Sequence, residues 1–117
     1  MPAEQRIRLT LLLPAPTNLG QFLLTDKIVT GLVRVCGGTT VSSYLPAVFD
    51  GFWLDETTDQ TVKDANMLIL ADAPASLANL AAYLDKVKLQ CQMDFQQDII
   101  WITTHTIERI ITDDYVQ

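Results

Sequence analysis

The sequence predicts an α+β fold of the ferredoxin-like, split βαβ type. Its element order is β-α-β-β-α-β, with an antiparallel sheet and two helices on one face. Three observations predict it. Apolar residues alternate at period two near the N-terminus and crowd β-branched runs at 39–49, 62–71 and 99–107, but recur every three or four positions over 19–35 and 77–91. Proline and glycine fall between these segments. The length of 117 residues, 49% of them hydrophobic, fits one domain that buries roughly 65% of its unfolded surface. A single domain over 1–117 is therefore expected, with a polar tail at 110–117.

Taken in order, Ile7, Leu9, Leu11 and Leu13 form one face of a first strand over 6–13, which Pro14-Ala15-Pro16 ends. Thr17 or Asn18 offers a side-chain oxygen to cap the next helix. There Leu24, Ile28, Leu32 and Val35 make the apolar stripe, widened by Val29 and Val33. Gly37-Gly38 stops it, because glycine enters the left-handed region without a Cβ clash. Residues 39–49 read as a second strand with an edge, bulge or break at Pro46. Asp50-Gly51 makes a turn or bulge before Phe52-Trp53-Leu54 resumes extended chain. A polar tip at 55–60 turns into a third strand, Val62 to Ala71. Pro74 suits the first turn of a second helix, whose stripe is Leu77, Leu80, Ala81, Leu84, Val87 and Cys91. After a loop at 92–97, Ile99 to Ile107 is the last strand. Right-handed crossovers leave few other ways to assemble this order.

Eight Lys and Arg against fourteen Asp and Glu give a net charge of −6. That argues against a nucleic-acid surface, which takes its affinity from cations on phosphates, and against a polybasic membrane patch. The apolar run Leu11 to Ala15 is far short of the roughly 20 residues that span a bilayer. Arg6 and Arg8 interleave with Ile7 and Leu9 and prolines follow at once, unlike a signal peptide. The expectation is a cytoplasmic, acidic protein with reduced thiols, no nucleic acid or membrane partner, no metal and no cofactor.

The strands speak for assembly. Residues 67–70 and 99–102 are apolar at every position, so the sheet face without helices is expected to carry an apolar patch too large for a monomer. A homo-oligomer is expected, a dimer before a trimer, with Trp101 or its flanking isoleucines near the interface. The tail at 108–117 folded across that face is the alternative.

Candidate chemistry centres on His105, the single histidine, on the last strand beside Thr103. Histidine titrates near neutral pH and serves as general base or ligand; the competing reading is a surface histidine on a β-rich strand. Tyr44 is a second catalytic candidate, and Trp53, Thr103 and His105 are the candidate ligand-binding residues of a pocket on the open sheet face. Cys36 and Cys91 each end a helix; with the helices expected to run parallel, both thiols would lie toward one end of the sheet. Helix axes 8–10 Å apart hold Cα atoms beyond disulfide reach, so both read as small buried hydrophobes. The acidic residues of 50–72 match no calcium loop and read as a solvated hairpin. Gly37-Gly38-Thr39-Thr40 follows a helix rather than preceding one, which reads as a cap and not a phosphate loop.

Three elements resemble a pattern in small uncharacterised bacterial and phage proteins: Gly37-Gly38-Thr39-Thr40, then Gly51-Phe52-Trp53, then Asp64 before Met67-Leu68-Ile69-Leu70. Those proteins often have an aromatic residue where Cys36 stands here. The general shape is also similar to PII-type and CutA-type folds, a likeness that implies a trimer but carries over none of their ligand motifs. The function expected is a small oligomeric, non-catalytic ligand-binding or regulatory module; the alternative is a small dimeric enzyme with its pocket near His105.

Overall fold

The computed structural model describes residues 3–42, 49–97 and 99–110. Strand β1 (Ala3–Pro14) leads into helix α1 (Leu19–Cys36), followed by β2 (Thr40–Val41), β3 (Phe49–Asp55), β4 (Gln60–Pro74), helix α2 (Leu80–Asp94) and β5 (Trp101–Ile110). The sheet order is β2-β4-β1-β5, and β3 also pairs with β4. All four pairings are antiparallel. This is the ferredoxin-like arrangement, with its second strand split into β2 and β3. Tyr44 and Pro46 fall between these pieces and lie outside the described residues, as does the tail at 111–117.

Strand alternation builds the core. Leu9, Leu11 and Leu13 of β1 and Met67, Ile69, Ala71 and Ala73 of β4 are buried on one face, held in step by the pairs Leu11↔Ile69 and Leu13↔Met67. Leu24, Ile28, Leu32 and Cys36 from α1 and Val87, Cys91 and Phe95 from the α2 end close over them. Asn18 caps α1 by accepting from the Gln21 backbone N–H at 2.9 Å, and Gly37 ends it at φ 88°, donating to the Val33 carbonyl. Both were legible from residue type.

The structure corrects four expectations. Pro74 closes β4 instead of opening α2, and α2 starts after Asn79, which takes the left-handed region itself (φ 62°). A proline at a strand end removes no ladder bond that matters, and the turn between is held by Leu77 N–H donating to the Pro74 carbonyl at 3.0 Å. Helix α2 runs on to Asp94, absorbing part of the expected loop. Its buried positions are Val87 and Cys91, while Leu80 and Leu84 are only half-buried. Finally, the helices are antiparallel: Gln21 at the start of α1 donates from Nε2 to the Asp94 carbonyl at the end of α2, at 3.2 Å. Each helix follows one of two antiparallel neighbours, β1 and β4, so each must run opposite to the other. Cys36 and Cys91 therefore sit at opposite ends of the helical layer.

Strand β4 is 15 residues long. Its second half joins the sheet through Asn66 to Pro74 against β1, and its first half forms a hairpin with β3 that runs past the end of β1. The molecule is accordingly elongated, 56 × 27 × 26 Å.

Candidate functional site

The open face of the sheet carries residues two apart on each strand. On β1 these are Arg8, Thr10 and Leu12; on β4, Leu68, Leu70 and Asp72; on β5, Trp101, Thr103 and His105. The register sets Leu12 beside Trp101, Thr10 beside Thr103 and Arg8 beside His105. The face thus has an apolar end and a charged end.

At the apolar end Trp53, from the hairpin, stacks on Trp101 with ring centroids 6.2 Å apart and planes 9° from parallel. Gly51 makes room for this: a Cβ there would collide with the Asn66 amide and come within 3.0 Å of the Trp53 ring nitrogen. Of the expected ligand-binding residues, the structure therefore puts Trp53, Thr103 and His105 on one face, with Trp101 as the link between Trp53 and the other two. His105 and Thr103 are exposed.

At the charged end lies a cleft of about 530 Å³, lined by Arg6, Arg8 and Arg109, by Asp72 and Leu70, and by the turn Gly37-Gly38-Thr39-Thr40. Three of the four arginines of this acidic chain meet there. Arg8 grips Asp72 with two hydrogen bonds, Nε to Oδ1 at 2.8 Å and Nη2 to Oδ2 at 3.0 Å. Arg6 pairs with Glu4 and also donates to the carbonyls of Asp72 and Cys36. Arg109 pairs with Glu4 at 2.8 Å. Two carboxylates thus answer three guanidinium groups. The Arg8 hydrogen bonds first, and the arginine charges after them, hold Asp72 below the usual carboxylate range; Glu4 is lowered by its hydrogen bond from Arg6 foremost. Among the described residues the buried hydroxyl of Thr39 in the cleft wall has no hydrogen-bond partner, an arrangement that costs free energy unless something supplies the partner.

Sequence reading missed this cleft. Arg6 and Arg8 share a strand face by period two, which was the available signal, but Arg109 and Asp72 come from distant strands. Gly37-Gly38 does cap α1 as expected and in addition forms the cleft wall. Two acidic residues of the hairpin have local partners: Asp50 pairs with Lys63 at 3.6 Å, and Asp55 Oδ1 accepts from the backbone N–H groups of Thr57 and Thr58. Among the described residues no group of three or more His, Cys, Asp or Glu is placed to hold a metal ion, and no helix is long and apolar enough to cross a membrane. Burial pushes the Cys91 thiol up to about 12, with Asp94 adding to it, and raises Cys36.

No protein family matches the chain by sequence, and no curated protein matches it. Solved structures do. A CutA1 from Oryza sativa superposes with TM-score 0.56 at 13% identity, covering 90% of this chain and 82% of the other. A phage SAM lyase in complex with S-methyl-5'-thioadenosine gives 0.56 at 11% identity, covering 95% and 93%. CPII, a nitrogen regulatory PII-like protein from Thiomonas intermedia K12 bound to ADP, AMP and bicarbonate, gives 0.53 at 15% identity, covering 95% and 99%. At these identities the likeness is one of fold, and the chain has the ferredoxin-like fold of the CutA1 and PII-like proteins.

Proposed function

We propose that this chain is a one-domain, cytoplasmic, non-catalytic module that binds a small anionic ligand in the arginine cleft and works as a homo-oligomer, a dimer before a trimer. The observation that carries the binding site is the convergence of Arg6, Arg8 and Arg109 on one cleft, whose wall holds a buried Thr39 hydroxyl with no partner among the described residues. Guanidinium forks bind phosphate and carboxylate in pairs of hydrogen bonds, and an entering anion would compete with Asp72 and Glu4 for them. Two proteins of the same fold hold adenosine compounds, ADP and AMP in one and S-methyl-5'-thioadenosine in the other, which favours an adenine nucleotide as the ligand class. Titration calorimetry with AMP, ADP, bicarbonate and S-methyl-5'-thioadenosine tests it. Saturable binding of AMP or ADP is expected, weakened about tenfold or more in Arg8→Ala, since a charge-assisted hydrogen bond contributes about 1.5–3 kcal/mol. No saturable binding, or equal affinity for AMP and the uncharged S-methyl-5'-thioadenosine, overturns it.

Association is supported by exposed apolar surface. Trp101 is 49% exposed at the open face, and Phe52 and Leu54 on the hairpin are 65% and 63% exposed, more than a hairpin needs for its own stability.

The second reading is an enzyme with its pocket near His105. What favours it is the shared face of Trp53, Trp101, Thr103 and His105, together with the likeness to a lyase of the same fold. Incubation with S-adenosylmethionine and chromatography for S-methyl-5'-thioadenosine separates the two: product formed by the wild type and lost in His105→Ala selects the enzyme.

A further inference from the structure

On the side of the molecule away from the open face, helices α1 and α2 leave a trough of about 480 Å³ between them. Its floor is apolar: Leu24, Ile28 and Val87 are buried there. One wall is Tyr83, whose hydroxyl packs so closely on Gly31 that a Cβ there would stand 2.6 Å from it. The rim is cationic. Lys27, Arg34 and Lys86 stand around it against one carboxylate, Asp26, and all four are exposed. Among the described residues the three cations form no ion pair, whereas the other five lysines and arginines of the chain do. An apolar trough of this size, with a few charges gathered at its mouth, has the make-up of a small-molecule site.

We infer that the α1–α2 trough binds an anionic amphiphile, an acyl chain lying on Leu24, Ile28 and Val87 and its carboxylate held by Lys27, Arg34 and Lys86. Charge complementarity selects the occupant: in a chain of net charge −6, the local excess of two positive charges at the rim repels a cationic amphiphile and attracts an anionic one. Lysine stems can cover apolar surface while their ammonium groups stay in water, which suits a ligand whose head remains at the rim. This site is separate from the arginine cleft and does not depend on it.

The test uses the full chain titrated calorimetrically with sodium decanoate, decanol and decyltrimethylammonium below their micelle concentrations. Decanoate is expected to bind at one per chain, decanol more weakly and decyltrimethylammonium not saturably. Lys27→Glu with Lys86→Glu, both exposed and remote from the core, should weaken decanoate about tenfold with an unchanged circular dichroism melt. Trp101→Asp, on the opposite face, should leave it unchanged. Equal binding of decyltrimethylammonium, no saturable decanoate binding, or decanoate binding lost in Trp101→Asp but kept in the lysine pair overturns the inference. So does a fall in solution mass in the lysine pair without ligand, which would assign the trough to a second copy of the chain.

Discussion

The two faces of one sheet are made from the same three strands and have little else in common. Toward the helices, Leu9, Leu11, Leu13, Met67, Ile69 and Ala73 are almost wholly excluded from water. On the other side, Arg8, Thr10, Leu12, Leu68, Leu70 and Asp72 keep part of their surface wet. Pleating sends neighbours in sequence to opposite environments, so adjacent leucines such as Leu11 and Leu12 have different tasks. The covered face holds the fold; the open face presents a tryptophan stack at one end and a guanidinium cluster at the other. A residue's contribution follows from the face it occupies, and substitutions in pairs can break or sharpen that division.

The largest effect is expected on the covered face. Leu11→Ala should lower unfolding free energy by about 2–5 kcal/mol, as buried large-to-small changes do, while Leu12→Ala should cost about 1 kcal/mol or less. Urea denaturation of the two variants checks this, and coincident midpoints would break the division. Next comes the turn that carries the chain from α1 to the sheet edge. Gly37 has φ 88° with open space around it, so Gly37→Val should cost about 1–3 kcal/mol from backbone strain alone. Gly38→Val, with no positive φ to sustain, should cost much less.

The open face is tested by charge. Trp101→Asp should leave the fold intact and reduce the mass seen by light scattering at low micromolar concentration, because each large apolar side chain returned to water forfeits about 1.5–3 kcal/mol of burial. A wild-type mass of 13.0 kDa at that concentration would reject association. The neighbouring Ile100→Asp, which reads from the sequence as an equivalent probe, is not one: Ile100 is buried at 8% exposure against the core, and aspartate there should unfold the chain.

A smaller effect separates the two faces by pH. Asp72 is held below its ordinary value of 3.8 by Arg8. A depressed carboxylate adds stability that is fully present above that ordinary value and is lost as pH falls through the lower folded one. Between pH 5 and 2 the wild type should therefore lose stability that Asp72→Asn does not, by about 0.2–1 kcal/mol for so exposed a pair. Parallel acid profiles would mean the pair adds nothing to folding. The smallest effect is an expected absence of reaction: with the Cys91 thiol at about 12, only about one molecule in ten thousand carries a thiolate at pH 8. Iodoacetamide should leave Cys91 unmodified in the native protein and alkylate it in urea.

Much of this was legible in local pattern. The period-two leucines of β1, the Asn18 cap, the Gly37-Gly38 stop and the polar turn at 55–60 each follow from how one residue type behaves with its immediate neighbours. Pro74 misled because proline serves a helix start and a strand end equally well, and the flanking residues did not choose. The relative direction of the helices depends on which strands become neighbours, and local spacing carries no sign of that. The expected α2 stripe contains the buried Val87 and Cys91, but spacing alone does not show that its earlier members Leu77, Leu80 and Leu84 pack only half-buried at the margin of the core.

The sequence by itself determined the elements, their order, the dry face of β1 and the excess of apolar residues on the last strand, because those depend on spacing along one chain. Only the tertiary structure decided the arginine cleft, the Trp53–Trp101 stack and the trough between the helices. Arg6, Arg8 and Asp72 are brought together by the β1–β4 register, and Arg109 by the pairing of β5 with β1. Trp53 reaches Trp101 because Gly51 leaves space above Asn66. A site assembled from residues 30 to 105 positions apart has no period to betray it; its geometry exists only after long-range pairing has set which side chains share a face.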